Sequence, residues 1–553
     1  MFINKNYNFK KIKIHPVVIA LIGIILFFII TNIIWLYVDV HFTFSNDPDL
    51  HMARCLKYYM FLKPLKSVIN QPSYLIDFWR YPPFFYISTI PLLLIFGIFN
   101  DHFVYVNFFY IILLILSVFG IGKILFNEWV GFFSALLTML YPIAYGLSRL
   151  YFIDFALLAM VSLTQYLILK SEGGTKKYWN VALGIVVGCT LLTKTHGIIF
   201  FLPTWIIVFL MHYRKKKKLT PLLVTIIISL IIAAPWYIFL SGDLIHFIKH
   251  KDMNAWMKTL PENKNLFNKL CFYARLFNWA YTEPEGFVYT IHGGISPILS
   301  LAFLIGFILF LIFERRWKVF LILISWIIPS YFLLSLWPNK DLRFIMPSLP
   351  VFAFFTIAGF NKLPLKFIRN IIYSLIIGVG LIQFTNSLLN LPVSPKVSKF
   401  LFKSDCFCQT PKYEDFNFKI KEILSYISKC KGEKKLKIGV SAHPYIFFDV
   451  ILSIAELNLP CTLEYFHEIF PCPLYNDKVR DVDILIIFQL PQPDFQKQEY
   501  YKKLNSFITD KSGFKKIQEF NLPNSSKAIL YENVRKCGCS LLRTGTTYGG
   551  RSS

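Results

Sequence analysis

The chain has 553 residues, of which 55% are hydrophobic, 18% aromatic and only 16% charged, and its mean hydropathy is +0.51. That balance excludes an ordinary soluble globule and a disordered chain, and it requires a polytopic membrane protein. The formal charge of +26 does not point to nucleic acid, because the lysines and arginines fall mainly in short links between apolar runs and in the tail, which reads as membrane topology and attraction to anionic lipid.

Runs long enough, or nearly so, to cross a bilayer occupy 16–38, 104–126, 130–145, 152–169, 181–193, 198–212, 221–240, 297–313, 319–336, 344–360 and 371–389. The first follows Lys5, Lys10, Lys11 and Lys13 and is too long for a signal h-region, so it is read as a retained anchor with a cytoplasmic N-terminus. A further run, 83–99, is ambiguous. If it spanned, the block Arg214-Lys215-Lys216-Lys217-Lys218 would lie outside, against the positive-inside tendency. Reading it as re-entrant or interfacial places Lys123, Lys176, Lys177, that block, Arg315, Arg316 and 362–369 on the cytoplasmic side. The same choice places Asp47, Asp154, Lys194 and Arg343 on the external side.

After Leu389 charges become frequent and no run is long enough to span. The expected organisation is a membrane module at 1–390, with external loops at 39–103 and 241–295, then an external soluble domain at 391–536 and a Gly/Ser/Thr-rich tail at 537–553. Within the soluble domain, 436–440 and 482–490 read as buried strands, 444–457 as a helix and 527–532 as a late strand, which makes a small α/β layer without a phosphate-binding loop. Seven of the ten cysteines, Cys406, Cys408, Cys430, Cys461, Cys472, Cys537 and Cys539, fall in this external part. An exported domain permits disulfides, whose pairing the sequence does not give.

Four short stretches at external span edges carry the chemistry. Asp47-Pro48-Asp49-Leu50-His51 puts two carboxylates just past the first span. Asp before Pro reads as a helix start, so Asp47 serves either as an N-cap alone or as a reactive group. A helix from here sets Asp47, His51 and Arg54 on one face and turns Asp49 away from it. In 148–154, Asp154 opens an apolar run, where a desolvated carboxylate needs a cation or a metal; Arg149 is one potential partner. In 192–197, Lys194 either snorkels or offers a point charge to a phosphate, with His196 close by. In 339–347, Arg343 brings a guanidinium fork suited to phosphate.

These stretches, with Tyr81-Pro82-Pro83, Leu191-Leu192-Thr193-Lys194, Ala234-Pro235-Trp236-Tyr237 and Arg343-Phe344-x-x-Pro347, occur in the order seen in the GT-C membrane glycosyltransferases. Over about 16–360 the chain resembles the branch containing protein O-mannosyltransferases and the aminoarabinose-to-lipid A transferases. The resemblance implies a GT-C-like polytopic α-helical membrane protein with about 11–13 transmembrane helices and a small C-terminal α/β soluble domain. It also implies transfer of a sugar from a polyprenyl-phosphate donor to a lipid, protein or glycan acceptor on the external, periplasmic face of a cytoplasmic (inner) membrane. On this pattern the acceptor-side acid maps to Asp47 and the later external acid to Asp154. Relatives often carry adjacent acids in the first loop, whereas here Pro48 separates Asp47 from Asp49.

Displacing a sugar from a lipid phosphate requires an acceptor to lose a proton and a leaving phosphate to be neutralised. Asp47 is the expected base, with Asp49 and His51 secondary, and Lys194, Arg343, Arg149 and Arg54 are the expected phosphate contacts. Asp154 would orient Arg149 or His51, or hold a divalent metal ion together with Asp47; that ion is the one cofactor the residues suggest. Attack opposite the phosphate would invert the anomeric centre. A transporter or flippase of lipid-linked saccharide is the contrasting reading, but no repeat and no acid deep within a span supports it. A glycan polymerase or ligase is the chemically related one.

Overall fold

The computed structural model describes residues 15–38, 46–62, 68–70, 81–216, 219–239, 263, 265–277, 294–389, 419–431, 436–442, 461–467, 481–489, 513–522 and 527–534, with a few positions between 450 and 459. The helices are α1 (Pro16–Val38), α2 (Asn46–Leu62), α3 (Phe84–Phe96), α4 (Asn100–Val104), α5 (Val106–Leu125), α6 (Glu128–Leu140), α7 (Pro142–Ser148), α8 (Ile153–Lys170) and α9 (Lys177–Leu191). There follow α10 (Ile198–Lys216), α11 (Thr220–Phe239), α12 (Leu266–Cys271), α13 (Pro297–Phe313), α14 (Trp317–Leu336), α15 (Leu349–Phe360), α16 (Lys366–Leu389) and α17 (Ile420–Lys431). Short 3-10 turns at Thr195–Gly197 and Leu342–Ser348 lead into α10 and α15. The strands are β1 (Val68–Asn70), β2 (Leu436–Ala442), β3 (Cys461–His467), β4 (Ile484–Gln489), β5 (Phe514–Asn521) and β6 (Lys527–Asn533).

Eight helical stretches among the described residues are long and apolar enough to cross a membrane, or nine if α6 and α7, bent by 69° at Tyr141, count as one. Three shorter apolar helices lie at Phe84–Phe96, Tyr178–Leu191 and Pro297–Phe313. This is the polytopic helical membrane protein that composition required. The ambiguous run 83–99 folds as α3, whose 13 residues reach about 20 Å, short of the roughly 30 Å hydrocarbon core.

The chain forms two compact units, 1–38 with 107–409 and 39–106 with 410–553. In the first, two helices are central: 89% of the window at Leu342–Phe360 and 78% of that at Ile153–Lys170 are buried, against 17% at Thr220–Phe239. Every residue of α15 is buried, while α11 and α16 keep apolar faces such as Ile227, Leu230, Ile231, Leu375 and Ile382 exposed, as a lipid-facing helix does. Close crossings rest on small residues: a Cβ on Gly359 would lie 1.8 Å from the Gly306 oxygen where α13 meets α15, and one on Gly122 would lie 2.4 Å from the Gly131 Cα between α5 and α6.

Charges also sort by bundle end within this unit. Arg316 donates bidentately to Glu314 (2.9 and 2.8 Å) and to the Leu125 carbonyl (2.9 Å), and Lys362 pairs with Glu314 at 3.0 Å. Lys123 and His15 pair with Glu128 at 2.7 and 3.3 Å. The ends of α5, α13 and α15 and the starts of α1, α6 and α14 therefore share one face. Asp154, Lys194 and Arg343 belong to the opposite ends of the same helices or of helices packed on them.

The second unit contains a six-stranded sheet ordered β1-β3-β2-β4-β6-β5, with β1, β3, β2 and β4 parallel and β6 antiparallel to both β4 and β5. The strands expected near 436–440, 482–490 and 527–532 are β2, β4 and β6, and Val450, Ile451, Ser453 and Ile454 are helical within the expected 444–457. Helix α17 buries Ile423, Leu424 and Ile427. Strand β1 comes from the first loop and pairs with β3 through Val68, Ile69 and Asn70, so the first loop and the C-terminal segment share one compact unit. Cys461 is buried at the start of β3; Cys406, Cys408, Cys472, Cys537, Cys539 and the Cys430 side chain lie outside the described residues, as does the tail 537–553.

Candidate functional site

In the first unit, a charged cluster forms where the starts of α8 and α15 meet the end of α9. Phe152 is the extended residue before α8, which places Asp154 in the first turn, where a carboxylate suits the partial positive charge of the helix N-terminus. Helix α9 ends at Leu191, and Lys194 follows in an extended conformation that sends its side chain away from the helix axis. Thr190 is hydrogen-bonded to Thr164 on α8 (2.8 Å) and Gly197 packs against Leu157, so the turn is fixed beside the start of α8. The Lys194 ammonium then meets the Asp154 carboxylate at 2.7 Å, with side chains only 9% and 3% exposed. Both charges are buried, so each depends on the other.

Arg343 enters through the 3-10 turn before α15. Asp341 caps that turn by accepting the Arg343 backbone N–H at 2.9 Å, and its other oxygen pairs with the guanidinium at 2.6 Å. The guanidinium lies 4.6 Å from the centre of the Phe152 ring, and the Lys194 ammonium 4.8 Å from that of Phe344. The Asp154 carboxylate is within electrostatic reach of Arg343 and His196 as well as Lys194. A buried pair, Lys194–Asp154, and a half-buried one, Arg343–Asp341, thus lie at one end of the bundle, with an aromatic ring against each cation.

Arg149 is placed differently. It is buried, donates to Asn32 (3.4 Å) and Ser387 (3.2 Å), and lies over the rings of Phe384, Tyr145 and Trp35 at 4.8, 5.2 and 5.8 Å. It ties α1, α7 and α16 together, and the cation that meets Asp154 is Lys194. Asn32 and Asn107 also donate to the Ser148 carbonyl, which fixes the strand of chain leading to Asp154.

The second unit holds the first-loop residues. Helix α2 begins at Asn46, so Asp47 and Asp49 lie in its first turn; their side chains are outside the described residues. His51 and Arg54 are both buried on the face that packs against α3. His51 Nδ1 is 2.8 Å from the Tyr86 hydroxyl, Arg54 hydrogen-bonds the same phenol and lies 5.0 Å from the Tyr81 ring centre, and Tyr58 stacks on Tyr86. Burial pushes the Tyr58 phenol up to about 12 despite the neighbouring Arg54 charge. The expected helical face is realised for His51 and Arg54, and Tyr81 of the Tyr-Pro-Pro stretch is its partner.

Sequence reasoning missed Asp341 and Tyr86 and did not assign His196, Phe152 or Phe344. An acid two residues before Arg343 is a readable capping signal; nothing local distinguishes Tyr86 from other aromatics of α3. Among the described residues no three His, Cys, Asp or Glu side chains cluster in a way that would hold a metal ion.

The fold is that of a multi-pass membrane protein with a candidate site at one end of its bundle. Residues 82–239 match the family model described as dolichyl-phosphate-mannose-protein mannosyltransferase. Compared with the curated proteins, the chain matches none. Among solved structures it is similar to ArnT from Cupriavidus metallidurans bound to undecaprenyl phosphate, at 13% identity and a TM-score of 0.59 over 93% of this chain and 98% of that one. Against the apo state of the same protein the identity is 13% and the TM-score 0.53, over 94% and 99%. The chain has the GT-C fold.

Proposed function

We propose that the protein is an integral-membrane glycosyltransferase that moves a sugar from a polyprenyl-phosphate donor to a lipid, protein or glycan acceptor on the external face of a cytoplasmic-type membrane, by direct inverting displacement. The observation that carries the reading is the pair of cations, buried Lys194 and half-buried Arg343, each on an acid and both at one end of the bundle. Charges withdrawn from solvent in this way are costly and concentrate at sites that bind charged ligands. The family model over 82–239 and the fold shared with a protein crystallised with undecaprenyl phosphate support it. The concentration of Lys123, Arg316 and Lys362 at the opposite end supports the external placement, by the positive-inside tendency.

In this reading Lys194 and Arg343 neutralise the donor phosphate, and Asp154 and Asp341 hold them in place. Asp47 takes the acceptor proton, with Asp49 secondary. His51 and Arg54, bonded to Tyr86, brace the helix that carries Asp47. Arg149 braces the chain before Asp154 and is not assigned to phosphate. The reconstituted protein, supplied with an undecaprenyl-phosphate-linked sugar and an acceptor, should transfer sugar, and Asp47→Asn should abolish transfer in a folded, inserted protein. Full activity in that variant would overturn the assignment of the base.

A further inference from the structure

His196 is a polar side chain that neither the sequence reading nor the mechanism above employs. It sits in the 3-10 turn directly after Lys194, its ring 5.6 Å from that of Phe344, the ring that also receives the Lys194 ammonium at 4.8 Å. Both side chains therefore converge on the Phe344 ring, and both lie within electrostatic reach of Asp154. Its Nε2 is shielded from solvent and, among the described residues, has no hydrogen-bond partner. A buried ring nitrogen left in that state is unfavourable unless something fills it. The two cations nearby each share their charge with a carboxylate, so His196 is where an incoming anion finds uncommitted hydrogen-bonding capacity.

We propose that His196 is a further binding residue for the phosphate of the lipid carrier, with Nε2 donating to a phosphate oxygen beside Lys194. This rests on the donor reading above. In transfer, the acceptor oxygen bonds to the anomeric carbon as the carbon–oxygen bond to phosphate breaks. The acceptor proton goes to the base, and the bonding electrons stay on the phosphate, which changes from a singly charged diester to a monoester bearing up to two charges. A donor at Nε2 is therefore stronger toward the product phosphate than toward the intact donor lipid, the differential that favours bond breaking.

The test is binding of undecaprenyl phosphate, with undecaprenol as the uncharged control, to the full-length protein in nanodiscs, alongside melting temperature. Wild type should bind the phosphate and discriminate against the alcohol. His196→Ala should weaken phosphate binding by about tenfold, the scale of one hydrogen bond to a charged group, with melting temperature unchanged, and His196→Gln, whose amide can donate, should recover part of the loss. Wild-type binding by His196→Ala would overturn the proposal. So would a fall in melting temperature that tracks the binding loss in both variants, because that marks a core histidine. Failure of wild type itself to prefer the phosphate would overturn the donor reading and this inference with it.

Discussion

Replacing Asp154 by Asn removes one charge while keeping the side-chain shape and an acceptor oxygen for Lys194, so it isolates the electrostatics of the buried pair. At 2.7 Å the attraction is about 6 kcal/mol at an effective dielectric constant near 20, and the desolvation of both groups subtracts from it. What the variant loses is larger than the net worth of the pair, because the Lys194 ammonium stays buried without its carboxylate; such losses run ~3–5 kcal/mol. Lys194→Met should cost a similar amount for the mirror-image reason. The double variant should lose at least ~2 kcal/mol less than the sum of the singles, since it buries no uncompensated charge. The assay is unfolding in mixed detergent micelles followed by tryptophan fluorescence. Transfer activity should be absent in all three, including the restabilised double variant. If the double loss equals the sum of the singles, the two side chains do not interact and the reasoning fails.

Gly359→Ala would place a Cβ 1.8 Å from the Gly306 oxygen, forcing α13 and α15 apart, and should destabilise by ~1–3 kcal/mol; Gly378→Ala on α16, with nothing within 4 Å, should be silent in the same melting experiment. The Arg316 hydrogen bonds, and then Lys362, hold Glu314 at about 2, down from its ordinary 4.5. A depressed carboxyl stabilises above its unfolded value, so stability should fall as pH drops from about 4.5 toward 2, and Glu314→Gln should flatten that part of the pH–stability curve. Removing 410–553 takes away β3, the partner of β1, so the truncated protein should remain membrane-inserted by alkaline extraction while losing transfer; retained transfer would show that the sheet is dispensable to the first loop.

The helical module was legible because its signals are local: an apolar run of span length declares itself, and all eleven expected runs lie on or overlap helices in the structure. The bend at Tyr141 was not visible, since 130–145 reads as one apolar run until Pro142 starts a new helix. The three-residue β1 was illegible for the opposite reason. Its partner β3 is almost four hundred positions away, and three residues carry no period to recognise. Strand β5, with its largely exposed Phe-Lys-Lys-Ile-Gln-Glu-Phe-Asn, is held by pairing with β6 and by little buried apolar surface, so a hydrophobicity pattern passes over it.

The site divides along the same line. Asp154, Lys194 and Arg343 stood out because ionisable residues beside apolar runs are costly and therefore conspicuous. Which acid meets which cation was not conspicuous, because pairing depends on how α8, α9 and the turn before α15 pack. Asp154 could be matched on sequence to Arg149, five residues away, but the helix start fixes its direction toward Lys194, forty residues on. That outcome changes the chemistry expected of each residue. A carboxylate spent on holding a buried ammonium is poorly placed to accept a proton from a hydroxyl, since losing its charge would strand Lys194. The base is therefore better sought among acids outside this cluster, and Asp47, in the first turn of a helix braced by His51 and Arg54, is the acid we propose for it.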